Sequence, residues 1–150
     1  MEQYDVAIIG AGPIGIELAV AVKRAGLRYV HLDAHQIGHT ISWFAPQTRF
    51  FSSNERIAIA GVPLQTPDQF KATREHYLAY LRTVVEQYDL EIKTYEPVTS
   101  IGRDNDQFEI TSQAAEREQT YVAPNLVLAT GGTGRAVRGY LLGLVRCPAT

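Results

Sequence analysis

Three glycines and one acid are the residues of this chain whose types and spacing could do chemistry. Gly10, Gly12 and Gly15 fall in the pattern G-x-G-x-x-G within "IIGAGPIG". Each has its own physical reason to be glycine. Gly10 permits a tight turn out of a strand, Gly12 lets a diphosphate approach the backbone where a Cβ would intrude, and Gly15 lets the following helix press against the strand. A helix opening at Pro13, with Ile14 in its first turn, would aim unpaired N–H groups and a positive dipole end at the phosphates. Asp33 follows about 20 residues after the turn, at the end of the next strand. A carboxylate there accepts hydrogen bonds from ribose hydroxyls and repels a 2′-phosphate, so the pattern favours FAD or NAD over NADP. A glycine turn without a ligand and a solvated acid at a strand end are the plainer readings. The strand–turn–helix–strand context ranks both lower.

The elements that must position these residues are legible in the hydrophobic pattern. "YDVAII" (4–9) is a continuous apolar run ending in glycine, as a strand buried on both faces would be. A helix of about three turns follows from Pro13, with Ile14, Leu18, Ala21, Val22 and Ala25 on its apolar face, and Gly26 stops it. "RYVHLD" (28–33) is the second strand, which completes a right-handed crossover unit. Residues 34–66 show little periodicity, yet they carry Trp43, Phe44, Phe50 and Phe51 among polar residues. Long irregular segments of this kind are often functional, although the same aromatics could simply be core. A second helix is expected from Thr66 as cap, with Pro67 in the first turn and Gln69 three residues after the cap. Its apolar face would carry Phe70, Thr73, Tyr77, Leu81, Val84 and Tyr88. "LEIKTY" (90–95) reads as a third strand. "PVTSIGR", "QFEITSQ" and "EQTYVA" read as an antiparallel meander, and "NLVLATGG" (125–132) as a last apolar strand. The expected fold is α/β: a Rossmann-type parallel sheet in the order third, second, first, last strand, with a small antiparallel β-meander.

The pairing of "DVAIIGAGP" with a later "LVLATGG" resembles the FAD domain of the thioredoxin-reductase-like and flavin-monooxygenase-like two-dinucleotide-binding flavoproteins. The stretch "TRFFSSNERIAIAGVPL" and the following "YLAYLRTVVEQYDLEI" are similar to the bacillithiol-disulfide reductase-like branch of the pyridine nucleotide-disulfide oxidoreductases. The resemblance covers most of the chain, from about residue 4 to 133. It implies that FAD is the cofactor and that NADPH or NADH is the reductant. It further implies that Ala129, Thr130 and Gly131 line the inner side of the cofactor. By the same resemblance, the loop from Ala34 to Phe51 would wrap the ribitol and isoalloxazine, with Thr40 as a polar contact. Val98 would meet the adenine end through its backbone.

Two departures qualify that expectation. The family branch usually carries a cysteine in the glycine turn where this chain has Ile14, so no thiolate can act there. Beyond Gly134 the chain reads "RAVRGYLLGLVRCPAT", without the acidic, proline-rich linker and second glycine turn that the resemblance implies. The expectation is an incomplete FAD-binding domain over 1–134 with an atypical tail over 135–150, from a truncated or frame-shifted reading frame. Such a chain alone would bind but lack turnover. Alternatively it is a non-catalytic remnant or a nucleotide-binding subunit that needs a partner chain or a second copy. Tyr140, Leu141, Leu142, Leu144 and Val145 would then form the docking segment. An NAD-binding or flavin monooxygenase-like domain is the other open reading.

Bulk properties narrow the rest. One domain is the default for 150 residues. A net charge of -2 and basic residues scattered among acids give no footprint for nucleic acid. Apolar runs fall short of a membrane span and no signal peptide is recognisable, so a cytoplasmic location is expected. Cys147 is the single cysteine, which excludes a C-x-x-C redox pair. His31, His35 and His39 begin in a strand and run into a loop, so their spacing does not make a metal site, and no catalytic residue is assigned.

Overall fold

The structure, a computed structural model, describes residues 2–132. The expected tail over 135–150, its apolar docking segment and Cys147 lie outside the described residues.

Strand β2 (Val6–Ile9) is buried along its whole length. It lies between β3 (Tyr29–Leu32) and β7 (Asn125–Leu128), parallel to both, in the order β3-β2-β7. The crossover from β2 to β3 is helix α1 (Pro13–Arg24). The meander is β4 (Val98–Asp104), β5 (Gln107–Ala114) and β6 (Arg117–Ala123), all antiparallel. The short strand β1 (Glu2–Gln3) adds to its edge, parallel to β6.

Alternation along β2 explains why its sequence is apolar at every position. Val6 and Ile8 enter a core with Ile16, Ala19 and Val20 of α1 and Tyr77, Leu81 and Val84 of the second long helix. Ala7 and Ile9 point the other way, into a second core with Val30, Leu32, Ile110, Tyr121 and Ala123. The parallel sheet is thus sandwiched between a helical layer and the meander. A strand covered on both faces has no position left for a polar residue. Each fully buried Ile or Leu in these cores contributes about 1.5–3 kcal/mol.

Three expectations are corrected. The inward face of α1 is Gly15, Ile16, Ala19, Val20 and Val22, whereas Ile14 is 67 % exposed. The rotation is set by Gly15, which sits directly against the strand end. The second long helix, α4 (Arg74–Gln87), begins eight residues after Thr66. Its cap is Thr73, whose hydroxyl accepts the His76 N–H while His76 Nδ1 accepts the Thr73 N–H. Thr66 instead donates its hydroxyl to the Phe70 carbonyl at 2.6 Å, and the left-handed Gln69 (φ 54°) breaks the chain direction. Finally, residues 90–95 form a single parallel bridge, Leu32↔Lys93, rather than a strand. Lys93 donates its N–H to His31 and accepts from Asp33, after which Tyr95 at φ 56° turns the chain away.

The irregular stretch from 34 to 66 contains two single-turn helices, α2 (His39–Ser42) and α3 (Asn54–Ile57). Helix α4 holds it from beneath. Arg74 donates to the carbonyls of Ser42 and Phe44, at 3.2 and 2.7 Å. The Tyr77 hydroxyl donates to Ile57 at 2.8 Å and that of Tyr80 to Val62 at 2.6 Å, while Tyr80 also accepts the Ile59 N–H. Burial pushes the Tyr77 hydroxyl up to about 12, so it remains a donor. Of the loop aromatics, Phe50 packs on Tyr77 with ring centroids 4.8 Å apart. Trp43 and Phe51 are exposed.

Candidate functional site

The glycine turn is a junction of backbone. The chain leaves β2 at Gly10, whose φ of +111° is open to glycine alone among the ordinary residues. A Cβ there would lie 2.4 Å from the Ala129 carbonyl oxygen. Gly10 donates its N–H to Leu32, and Ala129 donates to Ile9 at 2.7 Å, so the turn is clamped between the ends of β3 and β7. This brings Ala129 and Thr130 to the turn from the far end of the described chain, with Gly131 following at φ 74°.

Gly15 and Gly12 serve opposite purposes. A Cβ on Gly15 would fall 1.9 Å from the Gly10 carbonyl oxygen, so the helix is in backbone contact with the turn. A Cβ on Gly12 would meet nothing within 4 Å. The space over Gly12 is therefore open, and it faces the start of α1, where Pro13 occupies the first helical position. Gly12 is the N-cap and supplies no side-chain oxygen, so the first amides of α1 are not capped by it.

Asp33 flanks this opening and holds it in shape. One carboxylate oxygen accepts the Ala11 N–H at 2.6 Å and the other the His35 N–H at 2.7 Å. The Ala11 carbonyl in turn accepts the Gly38 N–H at 2.9 Å, which ties the entrance of α2 to the glycine turn. Thr40, on α2, is exposed, as is Ala34 beside Asp33. Val98 opens β4 and packs on the second core. Ile14, the second residue of α1, is exposed.

Two residues of this region were not picked out as site residues by the sequence reading. His31, on β3, is 1 % exposed, with Nε2 2.8 Å from the Gly10 carbonyl oxygen. Glu96, also buried, accepts 2.6 Å hydrogen bonds from the hydroxyls of Ser112 and Tyr121, and its N–H donates to Asp33. Among the described residues no group of three or more His, Cys, Asp or Glu could hold a metal ion. No helix among them is long and apolar enough to cross a membrane.

The model of the pyridine nucleotide-disulphide oxidoreductase family matches residues 7–138, from the middle of β2 through the glycine-rich end of β7 and beyond. The chain belongs to this family. Bacilliredoxin reductase Bdr of Bacillus subtilis is 29 % identical over 132 residues, which is 87 % of this chain and 39 % of that protein. The solved bacillithiol disulfide reductase Bdr of Staphylococcus aureus matches with a TM-score of 0.79 at 29 % identity, over 87 % of this chain and 39 % of its own. A flavin monooxygenase from Stenotrophomonas maltophilia matches with a TM-score of 0.80 at 25 % identity, again over 87 % and 39 %. The chain thus spans about two fifths of the length of these relatives. Membership in the pyridine nucleotide-disulphide oxidoreductases agrees with the parallel sheet and separate antiparallel sheet seen here.

Proposed function

We propose that residues 1–134 form the FAD-holding part of an NAD(P)H-dependent flavin oxidoreductase similar to bacillithiol-disulfide reductase. The observation that carries this is the uncapped start of α1 facing the open space over Gly12, with the Asp33 carboxylate at its side. The residues fit the group. A diphosphate would lie over Gly12, taking N–H groups of the turn and of the first turn of α1 around Pro13, Ile14 and Gly15. Gly10 keeps the turn tight. Asp33 has lone pairs beyond those used by Ala11 and His35, and these would take ribose hydroxyls. Val98 would offer backbone to the adenine end, Ala34 and Thr40 would flank the sugar chain, and Ala129, Thr130 and Gly131 would close the inner side.

FAD, when bound, supplies the capacity to accept hydride from NADPH or NADH. The chain's own residues would bind and orient it. Ile14 puts an alkyl group where the bacillithiol-disulfide reductase-like branch usually has a thiol, so a protein thiol relay starting in this turn is not part of the proposal. A further segment carrying a nicotinamide site, from a longer protein or a partner chain, would be needed for turnover.

The purified chain should take up FAD and show a flavin spectrum. A colourless protein that neither retains added FAD nor gains thermal stability from it overturns the proposal. Anaerobic NADPH should not bleach the bound flavin quickly, and fast bleaching would contradict the assignment of these residues to binding alone.

A further inference from the structure

The glycine turn has a second support, beneath it rather than over it. His31 sits in β3 on the side facing α1, and its Nε2 is 2.8 Å from the carbonyl oxygen of Gly10. That oxygen can only accept, so Nε2 must carry the proton. Nδ1 is then a bare lone pair, and it is buried without a hydrogen-bond partner. A buried acceptor without a protein partner costs free energy. The same imidazole edge limits α1, because a Cβ on Gly15 would come within 3.2 Å of Nε2. The Gly10 carbonyl is therefore held between the Gly15 backbone on one side and the His31 N–H on the other.

Building on the dinucleotide reading, we infer that His31 is the positioning residue of the turn. As the Nε2–H tautomer it fixes the peptide plane shared by the Gly10 carbonyl and the Ala11 N–H, the amide that Asp33 holds from the other side, and through it the course of the backbone into Gly12. Desolvation lowers the pKa of His31, which keeps the ring neutral, against the smaller raising effects of the Gly10 bond and the Asp33 charge.

Gln and Asn separate this role from plain packing. The Gln amide nitrogen lies as many bonds from Cβ as Nε2, whereas the Asn nitrogen lies as many as Nδ1. His31→Gln should therefore keep the donor, and His31→Asn and His31→Leu should lose it. FAD and ADP, the half common to FAD and NAD, are titrated into each variant of the 150-residue chain, with melting temperatures recorded alongside. His31→Leu and His31→Asn are expected to bind both roughly tenfold more weakly than the native chain, the worth of about one hydrogen bond, and His31→Gln within about threefold. Equal affinities for the Leu and Gln variants overturn the inference, whatever happens to stability.

Should the Leu and Asn variants fail to fold, nitrogen-15 spectra of the native imidazole decide. The proton on Nε2 supports the clamp, and the proton on Nδ1 overturns it. A native chain that binds ADP but not FAD counts against the flavin reading and leaves the clamp standing. One that binds neither refutes the dinucleotide reading, and the affinity role of His31 falls with it.

Discussion

Gly12→Ala separates ligand binding from folding more cleanly than any other substitution in the turn. At φ -82° the backbone of Gly12 suits any residue, and the added methyl would meet no atom within 4 Å. Replacing Gly by Ala at a compatible site stabilises by about 0.4–1 kcal/mol through the unfolded chain. Gly is the better N-cap by about 0.5–1 kcal/mol, which offsets most of that gain. The net change should stay within about 1 kcal/mol, or about 4 °C in melting temperature for a chain of this size. The methyl would, however, stand where a diphosphate oxygen must come to reach the amides. Displacing two charge-assisted hydrogen bonds would cost about 3 kcal/mol, a loss of more than about 100-fold in affinity. Flavin fluorescence titration and a thermal melt on the same sample test both halves. Native-like FAD affinity in the variant would refute the placement of the diphosphate over Gly12. A collapsed melt would refute the claim that the space is empty of protein.

Gly15→Ala and Gly10→Ala should do the reverse and unfold the turn, since their Cβ atoms would lie 1.9 and 2.4 Å from backbone oxygens; circular dichroism and melting should show losses of several kcal/mol. Asp33→Ala removes the acceptor for two backbone amides and should cost about 1–3 kcal/mol, with Asp33→Asn losing less because one oxygen remains. Tyr80→Phe should cost about 1–3 kcal/mol in a denaturant titration, because it strands the buried Ile59 N–H and Val62 carbonyl. Stability should also fall in mild acid through His31. Its folded pKa lies below the ordinary 6.5, so the unfolded chain binds the extra proton, and the contribution present above pH 6.5 is lost as pH falls through the folded value. Melting temperatures of the native chain and His31→Gln, compared between pH 8 and pH 5, should diverge in that direction.

The turn was legible because its constraints are local. Glycine at Gly10 answers a positive φ, and the run "VAII" answers burial on both faces of one strand. What was missed depends on partners distant in sequence. The carboxylate of Asp33 serves Ala11, 22 positions away, and His31 serves Gly10, 21 positions away, so neither partner shows in the periodicity around the residue. Thr66 carried the cap signal in the sequence, with Gln69 three residues on, but the left-handed Gln69 turns the chain there and the helix starts after Thr73 instead. The face of α1 could not be read from its apolar spacing, because the backbone contact at Gly15 fixes the rotation and leaves Ile14 outside.

The pairing of β2 with β7 bears on how the protein is made. The Asn125 amide bonds Asp5 across 120 positions, and Ala129 closes the last wall around Gly10. While the chain emerges from the ribosome, the βαβ unit at its start can collapse onto α4 early, but the glycine turn has no finished shape until β7 arrives. Long-range pairing of this kind is slow to form and leaves a strand edge bare in the meantime. A nascent chain stalled before β7 should therefore bind no dinucleotide and remain sensitive to protease near Gly10, whereas one released past Ala129 should become resistant there.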